Sequence, residues 1–426
     1  MRASLRRLCE DGVYETEESV RSLSRPLSLV VACVGLAVMI VGMGGTAEAS
    51  PSGSAIQSGL PGCARAPVRP GRATCNERIL ADDARRPTVN SGESGYGPAD
   101  LQAAYGLTAA SASEGAGQTI AVIEAYNDPS AEADLAVYRS QFGLPPCGTG
   151  CFTVVNQAGA AGPYPKNNQG WASEESLDVD MVSAICPNCK ILVVEANSEA
   201  DANLGEAVDT AASLGANAIS NSFASPESKS DLKFNKSYFD HPGVAVTAGS
   251  GDNGYEVEYP AASPYVTAVG GTTLKRSSSA RGWTETAWKG SGAGCSVEEP
   301  KPTWQKDSGC SQRTVADVSF DANLSTGVAA YDSDCSLENE FEGICFQGWG
   351  IAGGTSVGAP AIAAIYGLAG NSSVVHGANI AYADPRALNN ITSGSDGTCS
   401  PKYLCTAGPG YNGPTGLGTP EGTGAF

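Results

Sequence analysis

A serine and three carboxylates stand in this chain at spacings that chemistry can use. Ser356 lies in Gly353-Gly354-Thr355-Ser356-Val357-Gly358-Ala359-Pro360, ahead of an Ala- and Ile-rich helical stretch, Ala361 to Ala369. The paired glycines allow a tight turn and close approach of a ligand. A serine where such a turn enters a helix keeps its hydroxyl accessible, beside N–H groups that have no partner within the helix. That is the setting of a serine nucleophile whose own N–H supplies half of an oxyanion hole. The same residues also read as a Gly-rich turn with Ser356 as an ordinary cap. What separates the two is whether the chain supplies a base.

Histidine is a poor candidate by count alone, since the chain has two. His241 sits in the turn Asp240-His241-Pro242-Gly243, and His376 in a polar segment after the serine helix; both read as surface loop residues. The base must then be a carboxylate. Glu174 and Asp178 lie four apart in a helical pattern with Leu177, Met181, Val182 and Ile185, so their carboxyls share one face. Two carboxyls that close hold a proton between them instead of both ionising. With a reference value of about 4, such a carboxylate is a weak base that can still take the serine proton in an acidic medium. Acidic residues in the first turn of a helix also simply oppose its dipole, and Glu175 and Asp180 read as solvated residues of that kind. Asp252, in Ala248-Gly249-Ser250-Gly251-Asp252-Asn253-Gly254, follows a buried strand. Buried and protonated, it would donate to a developing oxyanion; otherwise it is a turn aspartate.

These residues need a frame. Thr119–Ile123, Lys190–Val194, Ala218–Ser220 and Val244–Ala248 are short apolar runs of the buried parallel-strand kind. Helical patterns alternate with them over Ala131–Phe142, Glu174–Ile185 and Leu204–Leu214. The alternation predicts a single α/β domain, doubly wound around a mostly parallel sheet, with its site at the carboxyl ends of the strands.

Residues 1–49 read as an export signal: arginines precede an apolar run from Leu27 to Met43, and Ala47-Glu48-Ala49 forms a small-x-small cleavage site. Residues 50–95 are rich in Pro, Gly, Arg and Ser without sustained periodicity, and read as an extension rather than a domain. The formal net charge of −19 argues against nucleic acid and anionic lipid as partners. Of 14 cysteines, Cys9 and Cys33 fall in the leader. The others group as Cys63/Cys75, Cys147/Cys151, Cys186/Cys189, Cys295/Cys310, Cys335/Cys345 and Cys399/Cys405, the simplest pairing for an exported chain. Cys186-Pro187-Asn188-Cys189 also matches a redox or zinc C-x-x-C, but no second ligand pair accompanies it.

Glu174-x-x-Leu177-Asp178, Ala248-Gly249-Ser250-Gly251-Asp252 and Gly353-Gly354-Thr355-Ser356 together resemble the sedolisin, or serine-carboxyl peptidase, family in order and spacing. Tyr259-Pro260-Ala261-Ala262-Ser263-Pro264 running on to Thr272, Glu285-Thr286-Ala287-Trp288 and Ala407-Gly408-Pro409-Gly410-Tyr411 resemble it too. The resemblance covers residues 96–426 and implies a subtilisin-like fold and a secreted, acid-active endopeptidase forming an acyl-enzyme. It makes Ser356 the nucleophile, Glu174 the general acid/base, Asp178 its partner and Asp252 the oxyanion donor. It also implies protein or peptide substrates. The remaining expectations are a monomer, an extracellular location and no stable membrane association once the signal is cut.

Three departures from the family accompany the match. Residues 50–95 are far shorter than the family's usual prodomain. A Ser-x-Ser-Trp-Gly-Gly segment beside the substrate cleft reads Ser220-Asn221-Ser222-Phe223-Ala224-Ser225 here, so side chains on Ala224 and Ser225 are expected to narrow the cleft, and Phe223 cannot hydrogen-bond Glu124. The family's calcium ligands map onto Asn390, Ile391, Gly408, Gly410 and Asn412, with two asparagines where aspartates would stand. Losing two charges weakens a calcium site, and Asp396 is the nearest replacement in sequence. These losses leave a second function class open, a non-catalytic secreted relative acting as a binding or surface protein.

Overall fold

The computed structural model describes residues 59–63, 69–80, 95–335, 345 and 347–426. The expected export signal and its cleavage triplet lie outside them. Three short strands come first: Gly59–Pro61 (β1), Thr74–Cys75 (β2) and Arg78–Leu80 (β3). Helices Pro98–Ala104 (α1) and Thr108–Ser113 (α2) follow. Strands and helices then alternate through Thr119–Ala125 (β4), Ala131–Gln141 (α3), Phe152–Asn156 (β5), Gln169–Ile185 (α4), Lys190–Ala196 (β6), Asp201–Ser213 (α5) and Ala218–Asn221 (β7). Next come Phe223–Pro226 (β8), Asp231–Phe234 (α6), Ala245–Gly249 (β9), Glu258–Tyr259 (β10), Thr267–Arg276 (β11) and Trp283–Ala287 (β12). Gly294–Pro300 (β13) and Gln312–Val315 (β14) pair as a separate ribbon. Val318–Asp321 (β15), Val328–Asp332 (β16), Gly348–Gly353 (β17) and Gly358–Ala369 (α7) lead to the C-terminal loops.

All four predicted apolar runs are strands of one sheet, in the order β12-β11-β9-β7-β4-β6-β5, with β15 also on β11. Every pairing in it is parallel except β11 with β12. Alternation of side chains along each strand divides the core between the two faces. Ile120 and Val122 of β4 join Leu177, Met181 and Ile185 of α4 and Ile362 and Ile365 of α7 on one side. Ala121 and Ile123 join Leu204 and Val208 of α5 on the other. Each fully buried Leu or Ile contributes about 1.5–3 kcal/mol of transfer free energy, so the two layers fix the sheet and its helices together.

The three helices predicted between these strands are found, and α4 begins five residues earlier than Glu174 because Asn168 caps it, its side chain accepting from Trp171 N–H at 3.1 Å. All six expected disulfides are present. The extension is not detached: β2 pairs with β8, and β3 lies between β1 and β17. These strands are held by partners elsewhere in the chain and by Cys63–Cys75, which is why no periodicity of their own announces them.

Candidate active site

The helix α4 is covered on every side, and Glu174 and Asp178 are fully buried on it. Asp178 Oδ1 accepts from Ser222 Oγ at 2.7 Å and Oδ2 from Ser220 Oγ at 3.4 Å. Burial pushes Asp178 up to about 8 against these hydrogen bonds. Glu174 is raised by burial first, then by Asp178 and by Glu77. Glu124, at the end of β4, is equally buried beside them and raised by burial, Asp178 and Glu174. A carboxylate in such a setting keeps its proton, since stranding several charges out of water costs far more than holding them neutral.

Ser356 lies two residues before α7, in the turn expected for it. Its Oγ donates to the Ser222 carbonyl at 3.3 Å and is near enough to Glu174 to favour that group's charged form. Pro360 is the third residue of α7, where no intrahelical partner is lost, and Gly370 closes the helix at φ 65°. Asp252 sits just past β9, against the same turn. Its Oδ1 accepts from Thr355 N–H at 2.9 Å and from Thr355 Oγ1 at 3.0 Å; its Oδ2 accepts from Arg78 Nε at 3.0 Å. Burial raises Asp252, while Arg78 and Thr355 pull it down. The structure thus brings all four predicted residues to one place, with Asp252 held as an acceptor.

Residues 74–80 run through this place as an extended strand. Thr74 and Cys75 pair antiparallel with Ala224 and Phe223, and Arg78 and Ile79 pair antiparallel with Gly353 and Ala352. Between them, Asn76 N–H donates to the Ser222 carbonyl at 3.0 Å and Glu77 N–H donates to Glu174 Oε2 at 2.9 Å. At Gly354, φ is +90°, and a Cβ added there would lie 1.9 Å from the Asn76 carbonyl oxygen and 2.6 Å from Asp252 Oδ2. Only glycine leaves room for that oxygen beside Asp252. The expectation that Ala224 and Ser225 narrow the cleft is corrected: their side chains stand across the sheet plane, and β8 pairs through its backbone. A cavity of about 580 Å³, lined by Tyr96, Phe142, Arg276 and Ile351 among others, includes none of the four.

Glu77 and Arg78 are site residues that sequence reasoning missed, because they lie in a segment without pattern. Glu77 is fully buried and raised by burial, Asp332 and Asp178, and Ser173 Oγ reaches it at 3.4 Å. Glu175 and Asp180 were expected in solvent, but both are buried. Asp180 accepts from Tyr331 N–H at 3.0 Å, where β16 covers the helix. The histidines lie elsewhere: His241 pairs with Asp209 at 3.1 Å, and His376 is 3.6 Å from Asp240.

The residues at the expected calcium position do not fit the ion. Asn390 exchanges two hydrogen bonds with Gly410, donating to its carbonyl at 2.9 Å and accepting from its N–H at 3.1 Å. Asn412 Oδ1 accepts from Thr415 N–H and Oγ1, which fixes its amide so that Nδ2 faces the carbonyls of Ile391 at 3.2 Å and Gly408 at 3.5 Å. The three carbonyls that would bind a cation accept from amide N–H groups instead. Asp396 is buried, pushed up to about 7, and among the described residues neither of its carboxylate oxygens has a hydrogen-bond partner. No group of three or more His, Cys, Asp or Glu able to hold a metal occurs among the described residues.

A profile of the subtilase family (peptidase S8) matches residues 155–374, which carry α4, β7 to β9 and the Ser356 turn. The chain belongs to the subtilase family. Within it, this subtilase is similar to members of the sedolisin group. It is 30% identical to kumamolisin of Bacillus sp. (strain MN-32) over 367 residues, 77% of this chain and 62% of that protein. To sedolisin of Pseudomonas sp. (strain 101) it is 33% identical over 184 residues, 39% of this chain and 29% of that one. The chain therefore spans less than two thirds of the length of these relatives. The structure of Pseudomonas sedolisin, a serine-carboxyl proteinase complexed with pseudo-iodotyrostatin, superposes with a TM-score of 0.63 at 24% identity, covering 78% of this chain and 96% of that one. That superposition establishes the subtilisin-like α/β fold of this subtilase.

Proposed function

We propose that this subtilase is an exported, acid-active serine-carboxyl endopeptidase with Ser356 as nucleophile. The observation that carries the reading is the meeting of Ser356, Glu174 and Asp252 along the strand at Asn76 and Glu77, while both imidazoles pair with other carboxylates, Asp209 and Asp240. Glu174, partnered by Asp178, takes the hydroxyl proton as Ser356 Oγ attacks a substrate carbonyl carbon. Asp252, once it holds a proton, donates to the oxyanion. Glu174 then delivers the proton to the leaving amine, from the position where its Oε2 now accepts from Glu77 N–H. Water repeats the sequence on the acyl-enzyme. Protonated Asp252 requires acid, while burial lets the Glu174–Asp178 pair keep its shared proton toward neutral pH.

Six disulfides support an oxidising destination for the chain, and no helix among the described residues is long and apolar enough to cross a membrane. The edge of β8 that pairs antiparallel with Thr74 and Cys75 accepts an extended chain, which supports protein or peptide substrates. The test is digestion of a denatured protein by the purified chain from pH 2 to 8, with Ser356→Ala alongside. Acid digestion that the substitution abolishes is the expected result. Undiminished digestion by Ser356→Ala, or a rise in activity only above neutrality, overturns the reading.

A further inference from the structure

We infer that the cleft carries a subsite for a basic side chain, in which Glu199, oriented by Tyr126, receives an arginine at the fifth residue on the acyl side of the bond to be cut. The inference rests on the peptidase reading above and adds to it a preference among substrates.

Backbone contacts set the register. Asn76 N–H and Ser356 Oγ donate to the same carbonyl, that of Ser222, and the Asn76 carbonyl oxygen lies over Gly354, next to Asp252. A substrate laid along the same path presents its reacting carbonyl there. Upstream of Asn76 the path is lined on two sides. Thr74 and Cys75 pair with Ala224 and Phe223, while Ala73 N–H donates to Glu199 O at 2.9 Å and Gly71 O accepts from Asp201 N–H at 3.2 Å. These are main-chain bonds, so they hold an extended chain of any sequence in one place. Counting Asn76 as the first residue, the fifth is Arg72, which bridges antiparallel to Ala200.

At that fifth place the side chain meets a prepared partner. Arg72 Nη2 pairs with Glu199 Oε1, and Tyr126 OH donates to the other oxygen, Oε2. The Glu199 side chain is 11% exposed against 41% for that of Arg72, so the carboxylate belongs to the wall and the guanidinium lies on it from outside. Tyr126 follows β4 at φ 74°, the one non-glycine among the described residues with a left-handed backbone. A tyrosine stays in that region only where its surroundings hold it. Its N–H donates to Ala196 O at 2.8 Å, and Lys166 Nζ lies 5.1 Å from the centre of its ring. The wall continues toward the reacting carbonyl, with a cavity of about 60 Å³ between Thr74 and Tyr126, Asn168, Trp171 and Glu199.

A pair of fully exposed charges would carry little preference. Glu199 differs because Tyr126 occupies one of its oxygens, and no cation of the described residues other than Arg72 lies within ion-pair distance of it. A substrate that takes this path removes Arg72 from the carboxylate. An alanine in its place leaves a largely buried oxygen without its donor, and a glutamate sets two carboxylates together. An arginine restores the contact, with a planar fork that matches the carboxylate.

The test is digestion of a peptide library in acid by the purified full chain, with cut sites read by mass spectrometry. Arginine is expected to be enriched at the fifth residue before the cut. Among quenched peptides differing only there, arginine in place of alanine is expected to raise kcat/KM about tenfold or more, chiefly through KM. Glutamate is expected to lower it. Glu199→Gln is expected to bring the arginine and alanine peptides within about twofold of each other, because the charge-assisted part of the contact is lost. Tyr126→Phe, which frees the carboxylate to turn, is expected to give an intermediate ratio. The library needs no variant, so misfolding of either substitution does not remove the test. Cut sites without arginine enrichment at that place, or a preference that Glu199→Gln leaves intact, overturn the inference while the peptidase reading stands. No cleavage of any peptide overturns both.

Discussion

Glu174 Oε2 accepts a hydrogen bond from the backbone nitrogen of Glu77 at 2.9 Å, so a buried carboxyl of α4 touches the amide of a strand in the cleft. In the mechanism proposed above, an oxygen in that position would return a proton to a departing amine without moving. It does so only while Glu174 retains one, and burial, Asp178 and Glu77 all raise it.

The catalytic prediction follows from that contact. In the active form, Ser356→Ala abolishes turnover, and Glu174→Gln or Asp252→Asn each lower it on the order of a hundredfold or more. The rate is highest at roughly pH 3–5 and falls as Asp252 ionises, because a charged carboxylate repels the oxyanion it must stabilise. Replacing both His241 and His376 leaves the pH profile unchanged. A profile that shifts in the double histidine variant, with folding intact, would falsify the carboxylate mechanism.

Stability is predicted to run opposite to that of most proteins. Asp178, Glu195 and Glu258 are pushed up to about 8, and Asp128, Glu299 and Asp396 to about 7, in each case chiefly by burial. Their unfolded values lie near 4. Between the two values the folded chain binds more protons than the unfolded one, so stability is full below about pH 4 and declines as pH rises through 7 to 8. Thermal midpoints from pH 3 to 9 check this; a midpoint that climbs between pH 4 and 8 contradicts it.

Calcium is predicted to raise the thermal midpoint little. Asn390→Asp together with Asn412→Asp turns two donors facing carbonyls into two charges, and should make the midpoint clearly calcium-dependent. Titration calorimetry or melting with and without calcium distinguishes the pair of proteins. A large calcium shift in the unmodified chain points to other ligands.

Gly354→Ala is predicted to be severe. The new methyl would meet the Asn76 carbonyl oxygen and Asp252 at a backbone φ that L residues avoid. Activity toward added protein should fall by more than a hundredfold, while the far-ultraviolet spectrum stays that of the parent. Near-normal turnover would mean that substrate carbonyls sit elsewhere.

The sheet was legible in the sequence because its strands are buried on both faces, and uninterrupted runs such as Lys190–Val194 have few other readings. Ser356, Glu174, Asp178 and Asp252 were legible because motif spacing fixes them on adjoining elements. Glu175 and Asp180 were misread. Their carboxyls look like first-turn residues, but α4 begins at Gln169, which moves both into its covered middle. Glu77 and Arg78 carried no signal, since a single strand completed by β1 and β17 needs no repeat of its own. The asparagines at 390 and 412 showed that two charges were missing, but not that their amides had taken the vacated hydrogen bonds.

That substitution has a consequence for where the fold can work. Aspartate ligands are titrated in acid, so protons compete with a metal for the same oxygens and the loop they organise is released as pH falls. The amides of Asn390 and Asn412 have no proton to gain in that range, and their hydrogen bonds to Gly410, Ile391 and Gly408 persist unchanged. A C-terminal loop closed in this way is indifferent to chelating acids and to the mineral content of its surroundings, in the same acid where the buried carboxyls are most at ease.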